Sequence, residues 1–253
     1  ARLASRLVAY GMGDVTLYVG ENLSYENEKI FHASAAELTE YRGDALSVVT
    51  ACNEKALPLP AVHGICDEEF LRGKAPMTKE EVRTVSLSKL RLQEDSVCYD
   101  VGAGTGSVSV EMALRAWKGQ VYAIEKKEDA LALLKENRRK FATDNLEIVP
   151  GTAPEAMVEL PVPTHAFIGG SSGNMNEIIR LLLEKNPKVR IVINCITLET
   201  VTEAMNAIRD FSLTDVDIVQ LSAARSKSIG RYHMMMGENP IYIISCSGRG
   251  EEI

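Results

Sequence analysis

The chain has 253 residues, 45% hydrophobic and 25% charged, with 18 Gly and 9 Pro, a balance that excludes disorder, collagen-like repeats and low complexity. Its 28 basic and 35 acidic residues give a net charge of −7, which argues against a globally basic nucleic-acid surface but leaves room for a local basic patch. No apolar run approaches the roughly 20 residues of a membrane span, and no signal-like segment opens the chain, so a cytoplasmic protein with no membrane partner is expected.

In chain order, Leu3, Leu7 and Val8 lie on a helix-like opening, and Val15–Val19 reads as a strand. A short helix is expected around Ala35 to Tyr41, and a second strand over Leu46–Ala51. This segment, residues 1–52, is too small to enclose a good core of its own. Residues 53–76 carry Pro58, Pro60, Pro76, Gly64 and Gly73 and read as a linker. Thr78, with Glu81 three positions on, predicts a capping box ahead of the apolar stripe Val82, Val85, Leu87 and Leu90.

From Val97 onward strands and helices alternate. Strand-like runs fall at Val97–Val101, Val121–Ile124, Leu146–Val149, Ala166–Ile168 and Val189–Ile193. The helices expected between and after them cover Ser107–Trp117, Lys127–Phe141, Asn174–Lys185 and Leu198–Phe211. This pattern predicts a parallel sheet covered on both faces. Val216–Leu221 and Ile241–Cys246 lack a helix between them and read as an antiparallel end. The expected fold is therefore α/β, a Rossmann-like class-I methyltransferase with a mostly parallel seven-stranded sheet, preceded by a partial α+β piece. The five cysteines (Cys52, Cys66, Cys98, Cys195, Cys246) never form a CxxC and read as reduced core or near-core thiols; no metal-ligand spacing is present.

The strongest chemical signal is Asp100-Val101-Gly102-Ala103-Gly104-Thr105-Gly106, between a strand and a helix. Its glycines permit a sharp turn and close approach of a ligand. The leading carboxylate suits the cationic amino and sulfonium groups of S-adenosylmethionine better than a pyrophosphate. Glu125, at the end of the second strand, is placed to accept ribose hydroxyls, as an acidic residue also does in nicotinamide enzymes. Gly151-Thr152-Ala153 offers backbone where adenine usually lies. Gly169-Gly170-Ser171-Ser172-Gly173 presents amides and hydroxyls at a strand's carboxyl end, suited to substrate carboxylates or the cofactor's methionine end. Asn194 follows the next strand, and Arg225, Lys227, Arg231 and His233 form a local basic loop matched to paired carboxylates. His165 reads as structural. No Asn/Asp-Pro-Pro-Tyr clamp for a flipped base is present, which disfavours methylation of a nucleotide amine.

The stretch from Lys74 to Ser247 resembles the CbiT-type family of cobalamin biosynthesis. The resemblance rests on Met77-Thr78-Lys79-Glu80-Glu81-Val82-Arg83, on the glycine motif, on Phe167-Ile168-Gly169-Gly170 and on Asn239-Pro240-Ile241. Upstream, Gly20-Glu21-Asn22-Leu23-Ser24-Tyr25 and Glu28-Lys29-Ile30 resemble the closing part of a CbiE-type tetrapyrrole methylase. The chain as a whole is thus similar to part of the fused C5,15-methyltransferases that act on precorrins. Residues 1–52 would be the methylase fragment, shortened at its N-terminus as the missing Met at Ala1 fits. Residues 77–253 would be the complete S-adenosylmethionine-dependent domain.

The resemblance implies methylation of a precorrin at carbon 15 with decarboxylation of the ring-C acetate, and a homo-oligomer, a tetramer in relatives. It further implies that Thr78, Gly102 to Gly106, Glu125 and Ala153 contact the cofactor, and that the Gly169-Gly170 loop borders the tetrapyrrole. A methyltransferase acting on tRNA or protein, a nicotinamide-dependent oxidoreductase and a non-catalytic nucleotide-binding module are the competing readings.

Overall fold

The computed structural model describes residues 1–54, 64–73 and 75–250. The chain forms two compact units, Ala1–Leu59 and Pro60–Ile253.

The first unit holds helix α1 (Arg2–Ala9) and strands β1 (Thr16–Glu21), β2 (Lys29–Ser34) and β3 (Ser47–Cys52). β1 is central and antiparallel to both neighbours. Alternate residues Leu17 and Val19 point into a small core with Ala4, Val15, Ala35 and Leu38. The helix expected from Ala35 to Tyr41 is instead a run of turns closed by i→i+3 bonds such as Leu38 N–H to the Ala35 carbonyl. Glu37 accepts the Ser34 amide (2.9 Å) and hydroxyl (2.7 Å), which fixes the chain in a tight turn before a helix can nucleate.

The second unit contains α2 (Glu80–Leu90), β4 (Val97–Val101), α3 (Ser107–Arg115), β5 (Gln120–Glu125), α4 (Glu128–Lys140) and β6 (Leu146–Pro150). These are followed by β7 (His165–Ile168), α5 (Met175–Lys185), β8 (Arg190–Cys195), α6 (Leu198–Asp210), β9 (Thr214–Leu221), β10 (Ala224–Ile229), β11 (Tyr232–Gly237) and β12 (Ile241–Ser247). The sheet order is β6-β5-β4-β7-β8-β12-β9. The first five strands are parallel, and β12 runs antiparallel to both β8 and β9. This is the expected mostly parallel seven-stranded sheet with an antiparallel end. Every residue of β8 is buried, as a central parallel strand requires. Val192 faces the core shared with Leu90, Met112 and Leu134, while Ile191 and Ile193 face the core of Ile178, Leu182 and Ala204.

Several elements depart from expectation. α2 starts at Glu80 after Lys79, with no side-chain cap. The Thr78–Glu81 box does not form, because the Glu81 carboxylate is drawn to Arg225, 2.9 Å away. The presumed basic loop is a hairpin, β10–β11, whose turn begins at Gly230 with φ +61°. Of the expected linker, residues 55–63 and 74 lie outside the described residues. Within 64–73, Ile65 and Phe70 are buried against Val82 and Leu87 of the second unit. Cys98, Cys195 and Cys246 are buried thiols, but Cys52 and Cys66 are exposed, not core or near-core.

Candidate functional site

Chain order reverses on the two sides of β4, which places a crevice at the carboxyl ends of β4, β5 and β7. The loop leaving β4 turns back at once: the Gly102 and Ala103 amides donate to the Ile124 carbonyl at 3.0 and 3.1 Å. Gly102, Gly104 and Gly106 all have positive φ (+77°, +56° and +79°), and each has a separate packing task. A Cβ on Gly102 would lie 2.9–3.2 Å from the backbone of Gly170. One on Gly104 would lie 2.9 Å from the Pro76 carbonyl oxygen, and one on Gly106 would lie 2.0 Å from Leu134 of α4. Two glycines thus let neighbouring segments close over the turn, and the third seats α4 against α3.

Glu125 closes β5 with its carboxylate held by three backbone amides. Oε2 accepts from Gly104 at 2.8 Å, and Oε1 from Lys126 and Lys127 at 2.8 and 2.9 Å. Asp100 lies beneath the loop with no exposure to solvent. Its Oδ2 accepts from the Ser109 hydroxyl, while Oδ1 has no hydrogen-bond partner. Burial pushes its pKa up to about 7; Ser109 opposes that shift and the Glu125 charge adds to it.

Gly102, Gly104, Glu125, Ala153, Gly169, Gly170 and Ser171 converge on one cleft of about 210 Å³. Four further cleft-lining residues carry no sequence signal of their own: Ala75 and Pro76 come from the stretch read as linker, and Lys126 and Lys127 follow Glu125. The Asn174 side chain donates to the Ala153 carbonyl at 2.9 Å, tying the β7–α5 loop to the β6 side of the cleft.

Other predicted positions lie off the cleft wall. Asp100, wholly buried, lies below the cleft wall, and Ala103, Thr105 and Gly106 belong to the turn, with the Thr105 hydroxyl buried and unpartnered. Thr78 offers its carbonyl to Arg83 at 2.6 Å. Asn194 is buried at the end of β8 with Oδ1 3.0 Å from the Ser86 hydroxyl. Arg225 is held by Glu81 (2.9 Å), Glu80 (3.5 Å) and Asp67 (3.8 Å), and Arg231 stacks on Tyr232 at the hairpin tip. His165 is held neutral, its pKa lowered to about 4 mainly by burial and then by Arg190, as a structural histidine would be. Among the described residues no cluster of His, Cys, Asp or Glu is placed to hold a metal, and no helix is long and apolar enough to cross a membrane.

Residues 69–247 match the family described as precorrin methyltransferase domain. The chain belongs to the precorrin methyltransferase family. Within it, a relative from Pyrobaculum calidifontis named probable cobalt-precorrin-6B C(15)-methyltransferase (decarboxylating) is 45% identical over 188 residues, 73% of this chain and 96% of that protein. The cobalt-precorrin-6B C(15)-methyltransferase (decarboxylating) of Salmonella typhimurium is 41% identical over 71% of this chain and 94% of its own. The crystal structure of precorrin-6y C5,15-methyltransferase from Geobacter metallireducens superposes with a TM-score of 0.70 at 39% identity, covering 74% of this chain and all of that one. This precorrin methyltransferase is therefore an S-adenosylmethionine-dependent methyltransferase by fold and by family.

Proposed function

We propose that the chain transfers the methyl group of S-adenosylmethionine to carbon 15 of a precorrin and releases the ring-C acetate carboxyl as carbon dioxide, a step of cobalamin biosynthesis. The observation that carries this reading is the cleft itself, with its glycine turn, Glu125 and the Gly169–Ser172 loop converging, in a chain about 40% identical to named decarboxylating C15-methyltransferases along nearly their whole length. The residues fit the cofactor. Asp100 holds a buried acceptor oxygen with no donor, which favours a cationic amino group over a pyrophosphate. Gly102 and Gly104 line the cleft, so the turn meets a ligand there with backbone alone.

Bound S-adenosylmethionine supplies a methyl group already activated on a sulfonium. The protein's task is then alignment, with Glu125 positioned to take a ribose hydroxyl on the Oε2 lone pair the amides leave free and the Ala153 region to border the adenine. The Gly169–Ser172 loop presents the tetrapyrrole edge to the donor. Residues 1–52 are assigned by resemblance to the closing part of a carbon-5 methylase, and the carbon-15 reaction alone is assigned to this chain.

Incubation with S-adenosylmethionine and cobalt-precorrin-6B, or its metal-free counterpart, followed by mass spectrometry tests the proposal. A product that has gained one methyl and lost one carbon dioxide is expected. Methyl gain without carboxyl loss would refute the coupled reaction.

A further inference from the structure

The charge of the cleft changes once its hydrogen bonds are followed. Among the described residues Glu125 is the one carboxylate lining the cleft, and it accepts from three backbone N–H groups. Two ammonium groups, Lys126 and Lys127, line the same cleft. Lys126 does not fold back on Glu125. Its Nζ crosses to the loop after β7 and donates to Ser172 Oγ at 3.0 Å. Ser172 has φ +52° and stands between Gly170 and Gly173, beside both of which a Cβ would meet open space. The rim therefore holds an ammonium and a hydroxyl within one hydrogen bond of each other, bordered by room for a ligand and with no carboxylate there to satisfy them.

We propose that Lys126 and Ser172 form a carboxylate-binding subsite at the rim of the cleft. It anchors one peripheral carboxylate of the tetrapyrrole and so fixes which carbon of the macrocycle faces the methyl donor. The inference rests on the proposed function and extends it to substrate orientation. The ammonium keeps protons free after meeting Ser172, and the hydroxyl keeps its own, so together they match the two oxygens of a carboxylate. The anchored group is a spectator. An ammonium on the departing acetate would stabilise its ground state and oppose loss of carbon dioxide. The arginines expected from sequence to do this work are engaged elsewhere, Arg225 among three carboxylates and Arg231 on the hairpin tip.

The test compares wild type, Lys126→Met, Lys126→Arg and Ser172→Ala as full chains. In Lys126→Met, KM for the precorrin is expected to rise about tenfold, kcat to fall less, and the Kd of S-adenosylmethionine by calorimetry to stay within about twofold. Lys126→Arg restores most of the loss, because it retains the charge. A Kd for S-adenosylmethionine that rises in step with KM assigns the pair to the cofactor's own carboxylate and overturns the proposal. A parallel absorbance titration with coproporphyrin, a tetracarboxylate macrocycle, separates the subsite from the reaction. Affinity lost in Lys126→Met while wild type turns over no precorrin refutes the reaction and leaves the subsite standing. Equal affinity in both proteins, or none in wild type, overturns the subsite.

Discussion

Asp100 holds opposing demands in one side chain. It has no solvent exposure, and one of its oxygens has no donor. Its folded pKa of about 7 lies above the ordinary 3.8, so between those values the folded protein keeps a proton that the unfolded chain has released. Stability is then complete below the lower value, falls as pH rises through that window, and stays low above it. Asp100→Asn removes the titration. It is expected to be more stable than wild type by on the order of 3 kcal/mol above neutrality, the gap closing as pH falls towards the ordinary value. Urea melts across that pH range measure it, and a gap independent of pH would rule out this origin. The same variant is expected to bind S-adenosylmethionine about tenfold more weakly, since the unpaired acceptor loses its charge. The glycines allow an equally local comparison. Gly106→Ala places a Cβ 2.0 Å from Leu134 at φ +79°, and is expected to cost about 2–4 kcal/mol. Gly170→Ala meets nothing within 4 Å and is expected to change stability by under about 0.5 kcal/mol, both read by chemical denaturation.

The elements differ in how plainly the sequence declares them. β4, β5, β7 and β8 are legible because a central parallel strand buries both faces and becomes a largely apolar run. β2 and the β10–β11 hairpin are not, because their faces are largely exposed and their pairing depends on partners remote in the chain or on one turn glycine. In the site, the glycine turn, Glu125 and the Gly169–Ser172 loop are local patterns, whereas Ala75 and Pro76 join the cleft only through tertiary approach. The segment before α2 shows why. Its prolines and glycines exclude regular structure but say nothing about packing. It is held by Arg83, fully buried, which donates to the carbonyls of Ile65 and Thr78 and pairs with Asp67 and Glu111. Arg83→Met is expected to destabilise by about 3–5 kcal/mol, because buried Glu111 loses its cationic partner and Asp67 is left with Lys79 and Arg225 at 3.8 Å. Adding Glu111→Leu should recover part of that loss in denaturant melts. Cofactor affinity should fall in the single variant, as the Pro76 carbonyl packs directly over Gly104. Unchanged affinity would detach this segment from the site.

At the scale of the molecule, the two compact units carry unequal cores. Among the described residues of the first unit, six apolar side chains are buried under three strands and one helix, little for independent stability. Residues 60–253 hold a seven-stranded sheet with an extensive apolar core on each face and every wall of the cleft. The curated relatives of similar sequence match over 182–188 residues that make up 94–96% of their length, so chains of that size carry this second unit without the first. Deletion of residues 1–59 is therefore expected to leave a chain that unfolds cooperatively, binds S-adenosylmethionine within about threefold of the full chain and retains precorrin methylation. Calorimetry, thermal melts and the mass-spectrometric assay read the three outcomes separately. A folded product that binds the donor but no longer methylates would assign the first unit a part in substrate handling. Failure to fold would show that it completes the stability of the second.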